Sequence, residues 1–327
     1  MVTGNHTTTP GFILLGYSSL TNLQGLLFMV FLVIYMVILL GNGVIVLVTV
    51  LDSALHTPMY FFLRNLSFVE ICYISVTLPK MVANCLAEDG SISFTGCAAQ
   101  MYFLLLLGGR ESFLLAVMAY DRYVAICNPL HYTLIVNREV CARMVAGSWL
   151  VNIPVHFGQI YLVFSLPFCG SREINHFFCD IPPLLELSCV DTYRNKMAVF
   201  MAVLLFIITP FILIVISYIK IASTILNVPS AEGRHKAFST CSSHLTVVTL
   251  FYGSGMIVYL RPKSRNSEDT EKLLSLFYTI VTPMFNPFIY SLRNKEVKAA
   301  LRKLVVTKYV GDFSVKIVER KQTSDFV

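Results

Sequence analysis

Charged side chains inside long apolar stretches are the first candidates for chemistry in this sequence. Glu70 and Glu111 each lie in the middle of such a stretch. Charged groups there are costly and normally face the interior of a helix bundle. Two such carboxyl groups are either neutralised by protonation and hydrogen bonding, or they share a polar pocket. A sodium ion is a candidate occupant of that pocket, because hard cations prefer oxygen ligands.

Two further motifs stand near the ends of apolar stretches. Asp121-Arg122-Tyr123 ends the stretch that contains Glu111. Such an Asp-Arg pair is either a plain topology anchor or a mobile charge pair that senses helix separation. In Asn286-Pro287, the proline removes a backbone donor and opens a bend. We expect the Asn286 amide to satisfy the freed backbone groups. This predicts a hinge near the end of the last stretch, with an ordinary kink as the alternative.

The elements that position these side chains follow from composition. The chain has 327 residues, of which 56% are hydrophobic and 13% charged. The charged share is about half that of a typical soluble domain, which excludes an ordinary cytosolic enzyme. A membrane-spanning helix needs about 20 mostly apolar residues. Seven stretches meet this length and predict an all-α, seven-helix transmembrane bundle: roughly 24–50, 58–82, 97–120, 140–165, 196–226, 237–260 and 272–292.

The distribution of Lys and Arg orients the bundle. Of the 25 basic residues, 15 fall in one alternating set of connecting segments and 8 in the other. Because the basic-rich side is cytoplasmic, the N-terminus is predicted to be extracellular and the C-terminus cytoplasmic. The net charge of +6 then reflects topology and not a nucleic-acid partner. The organisation expected is an extracellular tail over 1–23, a seven-helix transmembrane domain over 24–292 and a cytoplasmic tail over 293–327.

Asn5 and the outer cysteines are the candidates for modification. Asn5 lies in an Asn-X-Thr sequence in the exposed tail, which predicts N-glycosylation. Four of the nine cysteines fall on the oxidising outer side, where disulfides persist. Four cysteines allow three pairings, and spacing alone does not choose among them. A metal site formed by Cys179 and His176 is the rival interpretation. The four outer cysteines are Cys97, Cys169, Cys179 and Cys189.

Several motifs, in order along the spans, carry a resemblance to a known family. The chain resembles, over about residues 10–305, the odorant receptors among the rhodopsin-like G-protein-coupled receptors. The resemblance implies a multi-pass plasma-membrane receptor. The motifs are Leu40-Gly41-Asn42, Pro58-Met59-Tyr60-Phe61-Phe62-Leu63, Leu66-Ser67-Phe68-Val69-Glu70, Met118-Ala119-Tyr120-Asp121-Arg122-Tyr123, Trp149, Pro210 with Tyr218, Lys236-Ala237-Phe238-Ser239-Thr240-Cys241-Ser242-Ser243-His244 and Asn286-Pro287-Phe288-Ile289-Tyr290.

The resemblance implies a pairing of the cysteines and a switch at the inner end. It implies disulfides Cys97–Cys179 and Cys169–Cys189, with Cys97–Cys189 as an alternative. Arg122 is expected to be held near Asp121 at rest and to swing toward a G protein when the sixth helix moves. The residues implied for the switch are Asp121, Arg122, Tyr123, Tyr218, Ser239, His244, Asn286, Pro287 and Tyr290; those implied for a polar core are Asn42, Glu70 and Glu111.

The resemblance also implies a ligand site that opens outward between the third, fifth, sixth and seventh helices. Its wall is mostly apolar with a few hydroxyls, which suits small volatile molecules. Leu104 stands where an aminergic receptor has a carboxylate, and Ile280 where a retinal receptor has a lysine, so both are excluded. The implied wall residues are Leu104, Leu105, Gly108, Ala202, Phe206, Tyr252, Gly255, Met256, Tyr259 and Thr279.

The function expected is odorant reception. Binding of a small volatile ligand would shift the bundle to a state that activates a stimulatory, olfactory-type heterotrimeric G protein and raises cyclic AMP. Membrane lipid is the expected surrounding, and no cofactor is expected. A transporter is the second interpretation, but no paired inverted repeat crosses the seven spans. A membrane enzyme is the third, but the histidines are scattered and no nucleophile motif accompanies them. The role of Arg110 stays open.

Overall fold

The structure is a computed structural model. It describes residues 11–16, 23–86, 90–169, 171–259, 268–293 and 296–304. Within these ranges, side chains are described except at 236, 237, 239, 240, 257–259, 268–273, 278 and 291–293.

Seven long helices form the described part of the chain, in the order that the apolar stretches predict. Short helical turns at Ser53–Leu55, Pro129–His131 and Tyr132–Ile135 lie in the inner connections, and residues 296–304 form a helix after the last long one. The seven are α1 (Gln24–Leu51), α2 (Pro58–Leu86), α3 (Phe94–Cys127), α4 (Arg138–Phe164), α5 (Tyr193–Leu226), α6 (Ala231–Tyr259) and α7 (Glu268–Arg293).

The lipid-facing surface follows from composition. Four of the described helices, α1, α2, α3 and α5, are long and apolar enough to cross a membrane by themselves. The other three long helices contain more polar residues; α6, for example, contains Ser242, Ser243 and His244. Large apolar side chains such as Leu26 and Leu40 of α1 and Ile219 of α5 are exposed on the outside of the bundle. Lipid tails cover such a surface favourably, whereas water would not.

Helix α3 is the centre of the bundle and packs against α2, α4, α5 and α6. It is longer at both ends than the predicted 97–120. At its start, the Ser93 hydroxyl accepts a hydrogen bond from the Gly96 N–H at 3.0 Å, a standard N-cap. At its end, it continues through Asp121-Arg122-Tyr123 to Cys127. Hydropathy marks only the part within the bilayer, so the polar ends escape an apolar-stretch prediction.

Helix α7 is joined to α1 around Pro287. This proline has no N–H to donate to the Pro283 carbonyl four residues earlier. The Asn42 amide of α1 donates to that carbonyl instead, at 3.2 Å. The expectation that Asn286 serves the freed backbone is therefore wrong, because its amide donates to Glu70 of α2. Close approach of Gly41 to Pro287 makes the α1–α7 contact possible, since an added Cβ would lie 2.8 Å from the Pro287 Cβ.

Helix α5 contains a π-helical turn at Leu204–Ile208. Pro210 follows directly and cannot donate a backbone hydrogen bond. Thr209 bonds through both its N–H and its hydroxyl to the Leu204 carbonyl, five residues earlier, with the hydroxyl at 2.9 Å. The wide turn leaves Phe206 buried within the bundle.

A small cap closes the outer end. Strand β1 (Phe12–Leu14) pairs antiparallel with β2 (Ser91–Ile92) and parallel with β3 (Glu173–Ile174). Phe12 and Leu14 point into an apolar cluster that also contains Cys97, Ile174 and Cys179. The segment before α1 is thus joined to the α2–α3 and α4–α5 connections, which the sequence pattern does not reveal.

Candidate functional site

The predicted ligand wall lies in the outer half of the bundle. Leu104, Ala202 and Phe206 are buried, whereas Met256 is 43% exposed. Leu105 is partly buried and packs against the apolar cluster of the cap, so it supports the outer connection. A Cβ at Gly255 would contact nothing within 4 Å, so open space adjoins this part of α6. The Tyr259 side chain lies outside the described residues.

Two hydroxyl groups meet between α3 and α6. The Tyr252 phenol and the Ser112 hydroxyl are 2.7 Å apart, and the Tyr252 ring packs against Phe211 with centroids 4.8 Å apart. Tyr252 therefore links α3, α5 and α6 at one level. The Thr279 hydroxyl of α7 donates to the Ser275 carbonyl of its own helix at 2.8 Å, which leaves its oxygen as an acceptor.

The α4–α5 connection lies across the outer mouth and is fixed there at several points. Disulfides join Cys97 to Cys179 and Cys169 to Cys189. The Cys179 N–H donates to the Gln100 side-chain oxygen at 2.9 Å, and the Gln100 amide donates to the Val76 carbonyl at 3.0 Å.

His176 fixes the same connection to α7. Its Nδ1 lies 3.0 Å from the Phe178 carbonyl oxygen and 3.4 Å from the Phe178 backbone nitrogen, and its Nε2 lies 2.7 Å from the Ser275 hydroxyl oxygen. Cys179 forms a disulfide, and both ring nitrogens of His176 make hydrogen bonds. Neither residue is therefore available for the metal site that was the rival interpretation. No cluster of three His, Cys, Asp or Glu suited to a metal occurs in the described ranges.

A polar core lies at mid-depth between α1, α2, α3 and α7. Glu70 and Glu111 are buried, and Glu70 accepts a hydrogen bond from the Asn286 amide. The two carboxyls lie near enough for their charges to repel. One oxygen of Glu70, one of Glu111 and the Asn286 carbonyl oxygen have no hydrogen-bond partner among the described residues. Hard cations prefer such oxygens, and a sodium ion held by Glu70 and Glu111 stays a prediction.

The inner end of α3 differs from the resting arrangement expected. Asp121 accepts a hydrogen bond from the Tyr132 phenol at 2.7 Å, and the Arg122 guanidinium is directed at the Met59 sulfur of α2. Among the described residues, Asp121 and Arg122 form no ion pair. Tyr132 competes for the carboxylate because the short helix after α3 folds back beneath it. Burial, followed by the adjacent Asp121 carboxylate, raises the pKa of the Tyr132 phenol, which therefore stays a donor at neutral pH.

A second hydrogen-bonded link joins α3, α5 and α6. His244 Nε2 lies 3.1 Å from the Leu115 carbonyl and must donate to it, so Nδ1 accepts from the Tyr218 phenol at 2.8 Å. The Arg122 charge is close enough to interact with both Tyr218 and His244. Tyr290 is buried nearby without a hydrogen-bond partner for its hydroxyl among the described residues.

Two predicted switch residues, Tyr123 and Ser239, and the predicted glycosylation site complete the set. Tyr123 packs partly buried between α3 and α5, in contact with the cluster of Ile221 and Cys241. The Ser239 side chain and the predicted glycosylation site Asn5 lie outside the described residues.

Comparison with known proteins identifies the family. The sequence profile described as "Olfactory receptor" matches residues 31–308. Olfactory receptor 10A5 of Homo sapiens is 56% identical over 304 residues, which cover 93% of this chain and 96% of that protein. Olfactory receptor 10A7 of Homo sapiens is 52% identical over 315 residues, covering 96% and 100%. The chain belongs to the olfactory receptor family.

The fold is that of the rhodopsin-like receptors. The crystal structure of squid rhodopsin matches with a TM-score of 0.69 at 16% identity, covering 93% of this chain and 89% of that one. This olfactory receptor is accordingly a seven-helix, multi-pass protein of the plasma membrane, with an extracellular N-terminus and a cytoplasmic C-terminus. It is a receptor and not an enzyme.

The sequence motifs do not predict all the buried polar residues of the receptor. Asn152, His156 and Gln159 of α4 are buried, although His156 looks like one of several scattered histidines. Their spacing of four and three residues places them on one helix face, which is the signal that points to them. Gln100 and Tyr132 carry no comparable signal, because their partners are distant in sequence or lie in a connection.

Proposed function

We propose that this olfactory receptor binds a small volatile molecule in the outer half of its bundle and thereby activates a stimulatory, olfactory-type G protein that raises cyclic AMP. Family membership supports odorant reception in general. The observation that carries the finer proposal is the separation of two sites along α3. A mostly apolar wall with a few hydroxyls lies near Leu104, and a hydrogen-bonded switch lies near Arg122.

The ligand site suits a small apolar molecule. Phe206 and Leu104 bury apolar surface, and the Tyr252–Ser112 pair supplies the hydroxyls. The connection held by Cys97–Cys179 and His176 covers the mouth. Binding energy then comes from dispersion and apolar burial at roughly 25 cal/mol per Å², with one or two hydrogen bonds that set orientation.

The coupling step follows from α3 and α6. Tyr252 contacts Ser112 near mid-depth, and His244, about two turns nearer the inner end of the same helix, contacts the Leu115 carbonyl. A ligand that moves Tyr252 therefore acts on the helix that carries His244. Loss of the Tyr218–His244 bond would free α6 to move and expose Arg122 to the G protein. The ligand shifts the equilibrium between the closed and open states by the difference between its binding free energies to the two.

Cyclic AMP in cells that carry the olfactory-type G protein tests the proposal. We expect a dose-dependent rise with some members of a panel of volatile compounds, and its loss in Arg122→Leu at equal surface expression. Arg143→Leu is the matched control, because Arg143 is exposed on α4 and pairs with Glu139 of its own helix, at 2.5 Å. Normal signalling by Arg122→Leu at the cell surface would refute the switch.

A further inference from the structure

An apolar groove opens on the lipid-facing side of the bundle between α4 and α5. It has a volume of about 580 Å³ and runs along residues 154–162 of α4 and 198–209 of α5, in the outer half of the bundle. Met201 lines it and is 58% exposed, so the groove is open to the surrounding lipid. Ligand pockets typically measure about 300–1,000 Å³. A molecule dissolved in the bilayer therefore has access to a space of pocket size.

Small residues and two helix irregularities leave this space between the helices. Gly158 of α4 and both Ala198 and Ala202 of α5 line the groove, and an added Cβ at Gly158 would meet nothing within 4 Å. Pro154 lies inside α4 and has no backbone N–H to donate, and the π-helical turn Leu204–Ile208 widens α5. The groove is thus built into the sequence of both helices.

Hydrogen bonds between the two helices close the outer end of the groove. The Asn195 amide of α5 donates to the Leu162 carbonyl of α4 at 2.8 Å, and the Gln159 amide of α4 donates to the Ala198 carbonyl of α5 at 3.5 Å. Above them, the cap with its two disulfides covers the mouth of the bundle. The groove is therefore entered from the side, through lipid, and not from the water above it.

The floor of the groove continues into the predicted ligand wall. Ala202 is 8% exposed and belongs to both. Phe206, another residue of the predicted wall, follows about one turn later on α5 and is buried. Because Ala202 borders both spaces, a molecule in the groove is adjacent to the predicted ligand wall.

The lining favours neutral molecules of low polarity. No charged side chain is among the described residues that line the groove. The two polar side chains among them already make hydrogen bonds within the protein, since the Thr209 hydroxyl donates to the Leu204 carbonyl and the Gln159 oxygen lies 2.7 Å from His156 Nδ1. A charged molecule would lose its hydration there without replacement. A hydrocarbon, ester or ketone would bury apolar surface at little such cost.

We propose that this groove binds neutral apolar volatile compounds, namely hydrocarbons, esters and ketones, which arrive from the bilayer and pass from the groove to the predicted ligand wall. This inference rests on the proposed function and adds the class of the ligand and its route. Apolar compounds leave water for lipid, so the bilayer concentrates them at the entrance. A phospholipid chain is the competing occupant, but it descends from a headgroup at the outer surface, where the Asn195–Leu162 bond closes the groove. A small molecule has no such tether.

Photolabelling of the full receptor in cell membranes tests occupancy of the groove. The probe is octane in which a photoreactive diazirine replaces one methylene group. We expect mass spectrometry to find the label on residues 154–162 and 198–209. Excess octane or methyl hexyl ketone should abolish this labelling, whereas octanoate, which is charged, should leave it in place. A phosphatidylcholine with a diazirine in its chain is the second probe and reports lipid in the same groove.

Filling the groove tests whether it leads to the ligand wall. Gly158→Phe places a ring in the groove from α4, and Ala198→Leu narrows it from α5. Each should abolish the labelling and lower by about tenfold the potency of any hydrocarbon, ester or ketone that activates the unmodified receptor, because apolar contact is lost. Gly147→Phe is the matched control and should change neither. Gly147 lies eleven residues earlier on nearly the same face of α4, and a Cβ there also meets nothing within 4 Å.

Each contrary result overturns a separate statement. Labelling that octane does not displace, or labelling of the groove by the phosphatidylcholine that persists in excess octane, would assign the groove to lipid chains. Normal potency in both groove variants at equal surface expression would separate the groove from the path of the ligand. Activation by alcohols or carboxylic acids alone would refute the ligand class. These results leave odorant reception intact. Failure of every volatile, while a constitutively active variant still raises cyclic AMP, would instead refute the proposed function, whatever the labelling shows.

Discussion

The outer and inner ends of the receptor are held together by different kinds of bond. Two disulfides, a three-stranded sheet and the His176–Ser275 bond fix the outer cap. Toward the inner end, Cys127, Cys141 and Cys241 are free. There the polar links include single hydrogen bonds, such as Tyr218 to His244 and Tyr132 to Asp121.

This difference suits a receptor that binds its ligand at the outer end and signals at the inner end. A disulfide contributes about 2–5 kcal/mol and does not open thermally on the time scale of signalling. A typical hydrogen bond contributes about 0.5–1.5 kcal/mol, which is within the differential affinity of a small ligand. The cap therefore keeps the ligand site in shape, and the inner bonds are weak enough for a ligand to shift.

Breaking the outer disulfide should have the largest effect. We expect Cys97→Ser to lose about 2–5 kcal/mol of stability and most of its surface expression, because it frees the connection from α3. Cys72→Ser is the control, since Cys72 is a free cysteine of α2. Flow cytometry of intact cells measures the surface fraction. Equal expression of both variants would contradict the role given to the cap.

Packing between α1 and α7 should give the next largest effect. Gly41→Ala places a Cβ 2.8 Å from the Pro287 ring and should destabilise the receptor by about 1–3 kcal/mol. A Cβ at Gly43 meets nothing within 4 Å, so Gly43→Ala should stabilise α1 by up to about 1 kcal/mol. Thermal unfolding of the detergent-solubilised receptor measures both. The same sign for the two variants would show that this contact does not limit stability.

Removal of His244 tests whether the inner end is a switch. His244→Phe loses the bonds to Tyr218 and to the Leu115 carbonyl. We expect basal cyclic AMP to rise about fivefold to tenfold, because a bond that holds α6 in place is gone. Thr249→Val is the control, since Thr249 is exposed and its hydroxyl donates to the Leu245 carbonyl of its own helix. Unchanged basal signalling at equal expression would argue against a restraining role.

The smallest effect is expected from Tyr132. Tyr132→Phe removes the phenol that donates to Asp121 and leaves the ring in place. Asp121 would then be free to attract Arg122, so basal cyclic AMP should fall about twofold to fivefold. An increase would mean that the Tyr132 bond restrains the receptor. Tyr120→Phe, at an exposed tyrosine of α3 beside Asp121, is the comparison variant.

The sequence predicts the bundle well because its main signal is local. Every apolar stretch corresponds to a helix, and the outer cysteines and inner motifs fall at the ends that charge bias assigns them. The helix ends are less predictable, since Ser93 and the polar turns after Tyr120 lie beyond the apolar window. Local hydropathy marks the part of a helix that lies within the bilayer and does not mark its polar ends.

Contacts between distant segments escape sequence reasoning. The hydrogen bond from the Asn42 amide to the Pro283 carbonyl joins residues 241 positions apart. The sequence therefore does not show which asparagine bonds the carbonyl that Pro287 leaves free. Strand β1 joins its partners only after the loops have met over α3. The packing of Asn152 and His156 of α4 against Gly109 of α3 likewise joins residues that the sequence does not pair.

Paired distance measurements by electron paramagnetic resonance test the central claim most directly. Spin labels on Leu134 and Phe238 report the inner end, and labels on Tyr161 and Tyr193 report the outer end; all four residues are exposed. With an activating odorant and G protein, the account predicts a longer inner distance and an unchanged outer distance. An unchanged inner distance in a signalling receptor, or an outer end that opens with it, would contradict a fixed cap above a movable inner end.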